Sequence, residues 1–296
     1  MSPPREIRGS YTLRVRDSSV GDPPRLRLEA LEVPFELECS GSRAESLAES
    51  VRAAWEWCTL EPPYDAPDGG PSLQTVRLVL DDDPERISQD AVASTLRGAD
   101  LGTLMDRLSP LVTRLAVTER SSDLIMFHAC ALADAETGAT VVLYGPSGTG
   151  KTTLARTLGT DFVYLSDETA GVTADLRVVP YLKPLSILAT PTDALKEQVS
   201  PGRLGLVRPP DLTYRLTALV QLQRVPSHQG QALLEPLTTV EALPELVAQV
   251  SYTRTMDRPL HTLADLAGRV GGVRRVVYSE AEQLRPVVRA MLDGTA

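Results

Sequence analysis

Apolar and polar positions alternate over residues 11–17 and again over 26–38, a period of two that predicts half-exposed antiparallel strands. The rhythm then changes. Leu47, Val51, Ala54 or Trp55, and Cys58 recur at helical spacing behind Ser42, a residue suited to capping a helix. Pro62, Pro63, Pro67, Gly69, Gly70 and Pro71 mark a loop, and residues 75–80 read as another strand. Leu101, Leu104, Met105, Leu108, Leu111, Val112 and Leu115 form a second helical stripe, read as packing, which Pro110 is expected to kink or divide. Beyond residue 161, strand-like runs (161–166, 217–225, 232–239, 273–279) alternate with helical ones (240–250, 260–270, 280–292), the pattern of an α/β sheet. Residues 191–211, rich in Pro and Gly, are expected to form a loop beside the site, either a lid or substrate contact or a simply disordered segment. The expected organisation is a smaller α+β domain over residues 1–122, serving recognition or assembly, and an α/β domain over 123–296.

Between the apolar run of residues 140–144 and the helical run of 153–158 stands Gly145-Pro146-Ser147-Gly148-Thr149-Gly150-Lys151-Thr152, which matches the phosphate-loop pattern G-x-x-x-x-G-K-[ST] in the strand-to-helix context that pattern requires. Glycines let consecutive amides point at an anion without a Cβ in the way. Lys151 is placed to reach the outer phosphates and Thr152 to offer a hydroxyl to Mg²⁺, with Thr153 in the first turn of a helix whose N-terminus favours the same anion.

Two neighbouring segments add chemistry. Residues 127–134 read as a strand turning through Ala135-Glu136-Thr137-Gly138 into the strand before the loop; if Asp134 pairs with Ala139, antiparallel register sets His128 opposite Gly145. The apolar run Phe162-Val163-Tyr164-Leu165 leads to Asp167 and Glu168. With this strand parallel to the loop strand, both carboxylates emerge at the phosphate end, where two acids beside a triphosphate imply Mg²⁺ and a proton acceptor.

Composition narrows the class. With 42% hydrophobic and 23% charged residues the 296-residue chain has a globular balance, and a net charge of −9 argues against a nucleic-acid binder. No apolar run approaches a membrane span and the N-terminus lacks a signal-peptide core, so a cytoplasmic protein is expected, with no membrane partner. Cys39, Cys58 and Cys130 show no metal-like spacing, nor do His128, His228 and His261. Lysine is scarce, confined to Lys151, Lys183 and Lys196, while Arg203, Arg208, Arg215 and Arg254 are further candidates for nucleotide or acceptor contact.

The succession of a His-bearing strand, hairpin, G-x-S-G-x-G-K-[ST], short helix and acid pair, over residues 128–171, resembles the catalytic domain of the HPr kinase/phosphorylase family, whose relatives include kinases that phosphorylate serine in ribosomal peptide natural products such as lasso peptides. Val179-Pro180-Tyr181-Leu182-Lys183-Pro184 is similar to the P-x-x-[KR]-P stretch of the small relatives. The resemblance implies a P-loop-containing mixed α/β sheet of the HPr kinase/PEP carboxykinase-like type, preceded by a smaller α+β domain. It further implies that residues 145–153 hold ATP or GTP, that Thr152 and Glu168 serve Mg²⁺, that Asp167 is the general base with His128 and Lys151 beside it, and that Lys183 meets the substrate. Where the family pair is commonly two Asp, this chain has Glu168 second, one methylene longer. The family's long glycine-rich signature downstream of the acids has no counterpart, so HPr itself is not the expected acceptor. The expectation is a kinase acting on a hydroxyl of a peptide, a protein or a small molecule, compatible with a homo-oligomer; the rival is a nucleotide-dependent ATPase switch or assembly factor.

Overall fold

The computed structural model describes residues 22–60, 70–83, 94–188, 190 and 195–295. The strand expected over 11–17 and most of the first Pro/Gly loop lie outside the described residues.

The first sheet has the order β1 (Arg25–Ala30), β2 (Val33–Ser40), β3 (Gln74–Leu80), β4 (Thr95–Gly98), with β1–β2 antiparallel and the later pairs parallel. Leu31 and Glu32 join β1 to β2 at φ of 53° and 62°, the left-handed conformation that a two-residue hairpin turn needs to match the strand twist. Helix α1 (Ala44–Ala54) crosses between β2 and β3 and buries Leu47, Ala48, Val51 and Ala54. Ser42 does not cap it. Arg43 is the flanking residue and makes no side-chain cap, while the Ser42 hydroxyl accepts from the Asp82 amide at 3.3 Å and its own amide donates to Asp81 at 3.3 Å, tying the helix entry to the end of β3.

Helix α2 (Leu101–Glu119) is capped by Asp100, whose carboxylate accepts from both the amide and the hydroxyl of Thr103 at 2.7 Å. The leucine stripe is buried as packing, but Pro110 neither ends nor divides the helix. Its missing N–H removes the one backbone bond that the Asp106 carbonyl would receive.

The larger sheet uses β5 (Ile125–Ala133), β6 (Ala139–Tyr144), β7 (Val163–Ser166), β8 (Thr169–Val172), β9 (Val178–Val179), β12 (Arg215–Arg224), β13 (Leu233–Leu237) and β14 (Val273–Tyr278), in the order β13-β14-β12-β6-β5-β8-β9 with β7 also against β5. β6, β12 and β14 are parallel and β13 and β5 antiparallel to them, giving a mixed α/β sheet. On one face α4 (Thr239–Gln249) and α5 (Pro259–Arg269) pack Leu246, Leu263 and Leu266 against Phe127, Tyr144 and Leu219; on the other, α3 (Lys151–Leu158) and α6 (Arg285–Leu292) pack Leu154, Leu158 and Val288 against Leu143 and Val220. The helical run expected over 280–292 resolves into a 3₁₀ turn (Ala281–Leu284) and α6. Within the expected loop of 191–211, β11 (Glu197–Val199) pairs with β10 (Leu185–Ile187), and a 3₁₀ turn covers Gly202–Leu204.

A third core, around β1–β4, α1 and α2, also takes in Met126, Val179 and Tyr181. The Tyr181 hydroxyl shares a 2.7 Å hydrogen bond with Thr113 of α2. The helix that follows the first sheet is therefore packed directly on the segment leading to Lys183.

Candidate active site

The β5–β6 hairpin has the register expected from its turn. The Asp134 amide donates to the Ala139 carbonyl at 2.9 Å, and the pairing runs from Ala133↔Thr140 to Ala129↔Tyr144, so His128 and Gly145 come next at the same end. Asp134 also gathers the amides of Glu136 and Thr137 at 3.1 and 2.9 Å, which fixes the turn.

The acid pair is placed differently from the simple strand end that the sequence suggested. β7 is parallel to β6 in direction, but β5 lies between them. β7 and β8 run along β5 in succession, with Ser166 opposite Ala131 and Thr169 opposite His128, so Asp167 and Glu168 occupy an interruption within an otherwise continuous edge. The Ser166 hydroxyl accepts from the amides of Glu168 and Thr169 at 3.2 and 3.0 Å, and the Ala129 amide donates to the Glu168 carbonyl at 3.0 Å. These three bonds fix the backbone at Glu168 and Thr169.

Around the glycine loop, Gly148 and Gly150 adopt φ of 87° and 92°, and no atom lies within 4 Å of where a Cβ on Gly148 would stand. That is an open, left-handed backbone suited to a ligand's close approach. Lys151 is 7% exposed, and its ammonium donates to the carbonyls of Gly145 and Pro146 at 2.6 and 3.1 Å; burial holds its pKa below the usual lysine range. The Tyr278 hydroxyl anchors the loop through the Thr149 carbonyl at 2.5 Å.

Loop and acid pair meet through Thr152, whose hydroxyl donates to Asp167 Oδ2 at 3.0 Å. Asp167 Oδ1 receives the Tyr164 hydroxyl at 3.1 Å and lies 3.3 Å from Lys183 Nζ, which stands 2.9 Å from Glu168 Oε2 and donates to the Pro184 carbonyl at 3.1 Å. Lys183 is 1% exposed. Burial opposes its charge, yet the two carboxylates hold its pKa well above the usual lysine value. Burial pushes Glu168 up, but Lys183 outweighs it and leaves the carboxyl below its ordinary range. Burial, then the Asp167 charge, drives the Tyr164 phenol far up, so it remains a donor. His128 stands at the open mouth, where desolvation first and the Lys151 charge second hold the imidazole below its ordinary pKa.

These residues line one cleft of about 490 Å³, shared by Ser147, Gly148, Gly150, Lys151, Thr152 and Thr153 of the loop region with His128, Asp167, Glu168 and Lys183. Sequence reasoning missed several of its members. Lys196 and Arg224 line the cleft, and Asp106, Ser109 and Pro110 bring one turn of α2 into it; Tyr164, fully buried against Asp167 and outside the lining, read only as an apolar strand residue. Of the expected arginines, Arg208 instead lies 5.7 Å over the Trp57 ring and Arg215 donates to the Asp175 carbonyl at 3.3 Å. Among the described residues no group of three or more His, Cys, Asp or Glu is arranged to hold a metal, so a cation here would need hydroxyl and ligand oxygens as well.

No family model matches the chain, and no curated protein matches it. Among solved structures it is similar to the Hpr(Ser) kinase/phosphatase from Coxiella burnetii at 12% identity and a TM-score of 0.29, over 57% of this chain and 94% of that one. Likeness at that level leaves the functional case to the residues themselves. No helix among the described residues is long and apolar enough to cross a membrane.

Proposed function

We propose that the protein is an ATP- or GTP-dependent phosphotransferase that moves the γ-phosphoryl group to a hydroxyl of a peptide, a protein or a small molecule. The observation that carries this reading is the Thr152–Asp167 contact at 3.0 Å, which joins a glycine loop to an acid pair of buried Asp167 and half-buried Glu168. The donor set fits a magnesium nucleotide: left-handed glycines, an ammonium now satisfied by loop carbonyls, and a hydroxyl and a carboxylate already adjacent as hard oxygen ligands. Bound there, Mg²⁺ would offset the negative charge of the phosphate oxygens.

The resemblance gives Asp167 the base's role and Glu168 the metal's; the contacts favour the exchange. Asp167 is 4% exposed and both its oxygens are occupied by Thr152, Tyr164 and Lys183. Glu168 reaches the cleft with Lys183 as its cation partner. In this reading Asp167 and Thr152 hold the metal side, and Glu168 takes the proton of the acceptor hydroxyl as its oxygen bonds to the γ-phosphorus and the bond to the leaving diphosphate breaks. Lys183 holds both carboxylates in place and favours the ionised form of Glu168. Lys151 exchanges the loop carbonyls for phosphate oxygens, and His128, neutral at pH 7, donates a hydrogen bond at the mouth without adding charge.

The test is transfer from labelled ATP and GTP to a panel of hydroxyl acceptors. Glu168→Gln should lower transfer by roughly 10²- to 10⁴-fold while nucleotide affinity stays near wild type. Asp167→Asn should weaken Mg²⁺-dependent nucleotide binding as well. Transfer that survives both substitutions would remove the proposed chemistry, and nucleotide-dependent partner binding with no phosphorylated product would support a switch instead.

A further inference from the structure

The wall of the cleft opposite the glycine loop belongs to α2, and it carries polar groups that nothing in the fold uses. Ser109 is 1% exposed and lines the cleft, yet its hydroxyl finds no hydrogen-bond partner. A buried hydroxyl without a partner is unfavourable, and a native structure that keeps one has a reason for it. One turn earlier, the half-buried Asp106 lines the same cleft and has no cation or donor partner among the described residues. Pro110 adds a third group, because it has no N–H to give the Asp106 carbonyl. A carboxylate, a carbonyl and a hydroxyl thus cluster on a single helical turn, two of them acceptors only.

Charge sharpens the choice of ligand. Lys151, Lys183, Lys196 and Arg224 line the cleft and suit phosphate oxygens, while the carboxylates of Asp167 and Glu168 share Lys183 as their cation partner. Asp106 is the cleft carboxylate left uncompensated among the described residues. An anionic acceptor would be repelled there; a group with several N–H donors and a positive charge would satisfy all three acceptors.

We infer that the Asp106–Pro110 turn of α2 is an acceptor subsite that receives an ammonium or guanidinium placed near the hydroxyl to be phosphorylated. This deepens the phosphotransferase reading and rests on it for the word acceptor. The shared chemistry is a hydroxyl beside a cation, found in a serine peptide with a neighbouring Arg or Lys and in an amino alcohol such as an aminosugar.

Binding is measured on the full chain with Mg²⁺ and the β,γ-imido analogue of ATP. The probes are fluorescent nine-residue peptides with a central Ser in an Ala frame, carrying Arg or its neutral isostere citrulline at each position in turn, with an aminosugar and its deaminated analogue as the small-molecule arm. At one or more positions the charged probe should bind about tenfold tighter than the neutral one, the scale of a hydrogen bond to a charged group. Asp106→Asn should bring the two together, Asp106→Arg should invert the preference toward Glu peptides, and Ser109→Ala should weaken the charged probe by a few fold. A general disturbance of the cleft would weaken charged and neutral probes alike and would count against the subsite. So would equal binding of both probes in both arms, or a preference that outlasts Asp106→Asn. Asp106-dependent binding with no transfer to any bound probe would sink the phosphotransferase reading and leave the cation subsite standing; transfer indifferent to Asp106 would do the reverse.

Discussion

The two halves of the cleft are built on opposite plans. The glycine loop is open, its backbone is left-handed at Gly148 and Gly150, and empty space surrounds the position of an added Cβ. The acid pair is closed: Asp167 is 4% exposed, and Lys183, at 1%, is held by two carboxylates and the Pro184 carbonyl. The loop keeps its binding capacity because little of the fold depends on it, whereas the two carboxylates depend on one buried cation that they share. The loop should therefore tolerate change with loss of ligand affinity, whereas removal of the cation that the acid pair shares should cost stability.

The largest expected effect is at Lys183. Lys183→Met leaves two carboxylates facing each other without a cation and should destabilise by roughly 3–5 kcal/mol, read from chemical denaturation, while adding Asp167→Asn and Glu168→Gln to it should restore most of that loss. If the single variant is as stable as wild type, the two carboxylates do not depend on Lys183. Ser166→Ala comes next: it strips the acceptor from the Glu168 and Thr169 amides and should lower stability by about 1–3 kcal/mol. On the loop side, Gly148→Ala places a Cβ in open space but at φ of 87°, so about 1 kcal/mol of strain is expected, with the clearer change in nucleotide affinity measured by titration.

The smallest effect is a pH dependence. Glu168 has a folded pKa below 4.5, so its stabilising contribution is present above pH 4.5 and is lost as pH falls through the folded value. A stability profile between pH 6 and pH 3 should fall as Glu168 is protonated, by well under about 1 kcal/mol because water screens a side chain that is 36% exposed, and Lys183→Met should flatten it. An unchanged slope in that variant would dissociate Lys183 from the Glu168 shift.

How far the sequence disclosed this contrast depended on the range of the interactions. The β5–β6 register was legible because one turn sets it, and Asp134 both signals and fastens that turn. The loop was legible because its glycines and Lys151 act locally. The closed half was not, since Lys183 lies fifteen or more residues from the acids it pairs with, and only the P-x-x-[KR]-P resemblance singled it out. Tyr164 was missed because an apolar strand gives no sign that one hydroxyl will turn to Asp167. The α2 stripe was correctly read as packing, which drew attention from the opposite face, where Asp106 and Ser109 enter the cleft. The interruption between β7 and β8 was read as a strand end because only the shared partner strand reveals that the edge resumes.

That shared strand has a mechanical consequence. β5 is hydrogen-bonded on one side to the strand that feeds the glycine loop and on the other to both flanks of the acid pair. The backbones of the strand that feeds the loop and of the acid-bearing edge are then two inter-strand spacings apart, about 10 Å, a distance that covalent geometry and ladder bonds hold almost fixed. Substitutions outside this three-strand girder can accordingly reshape the cleft without altering that spacing.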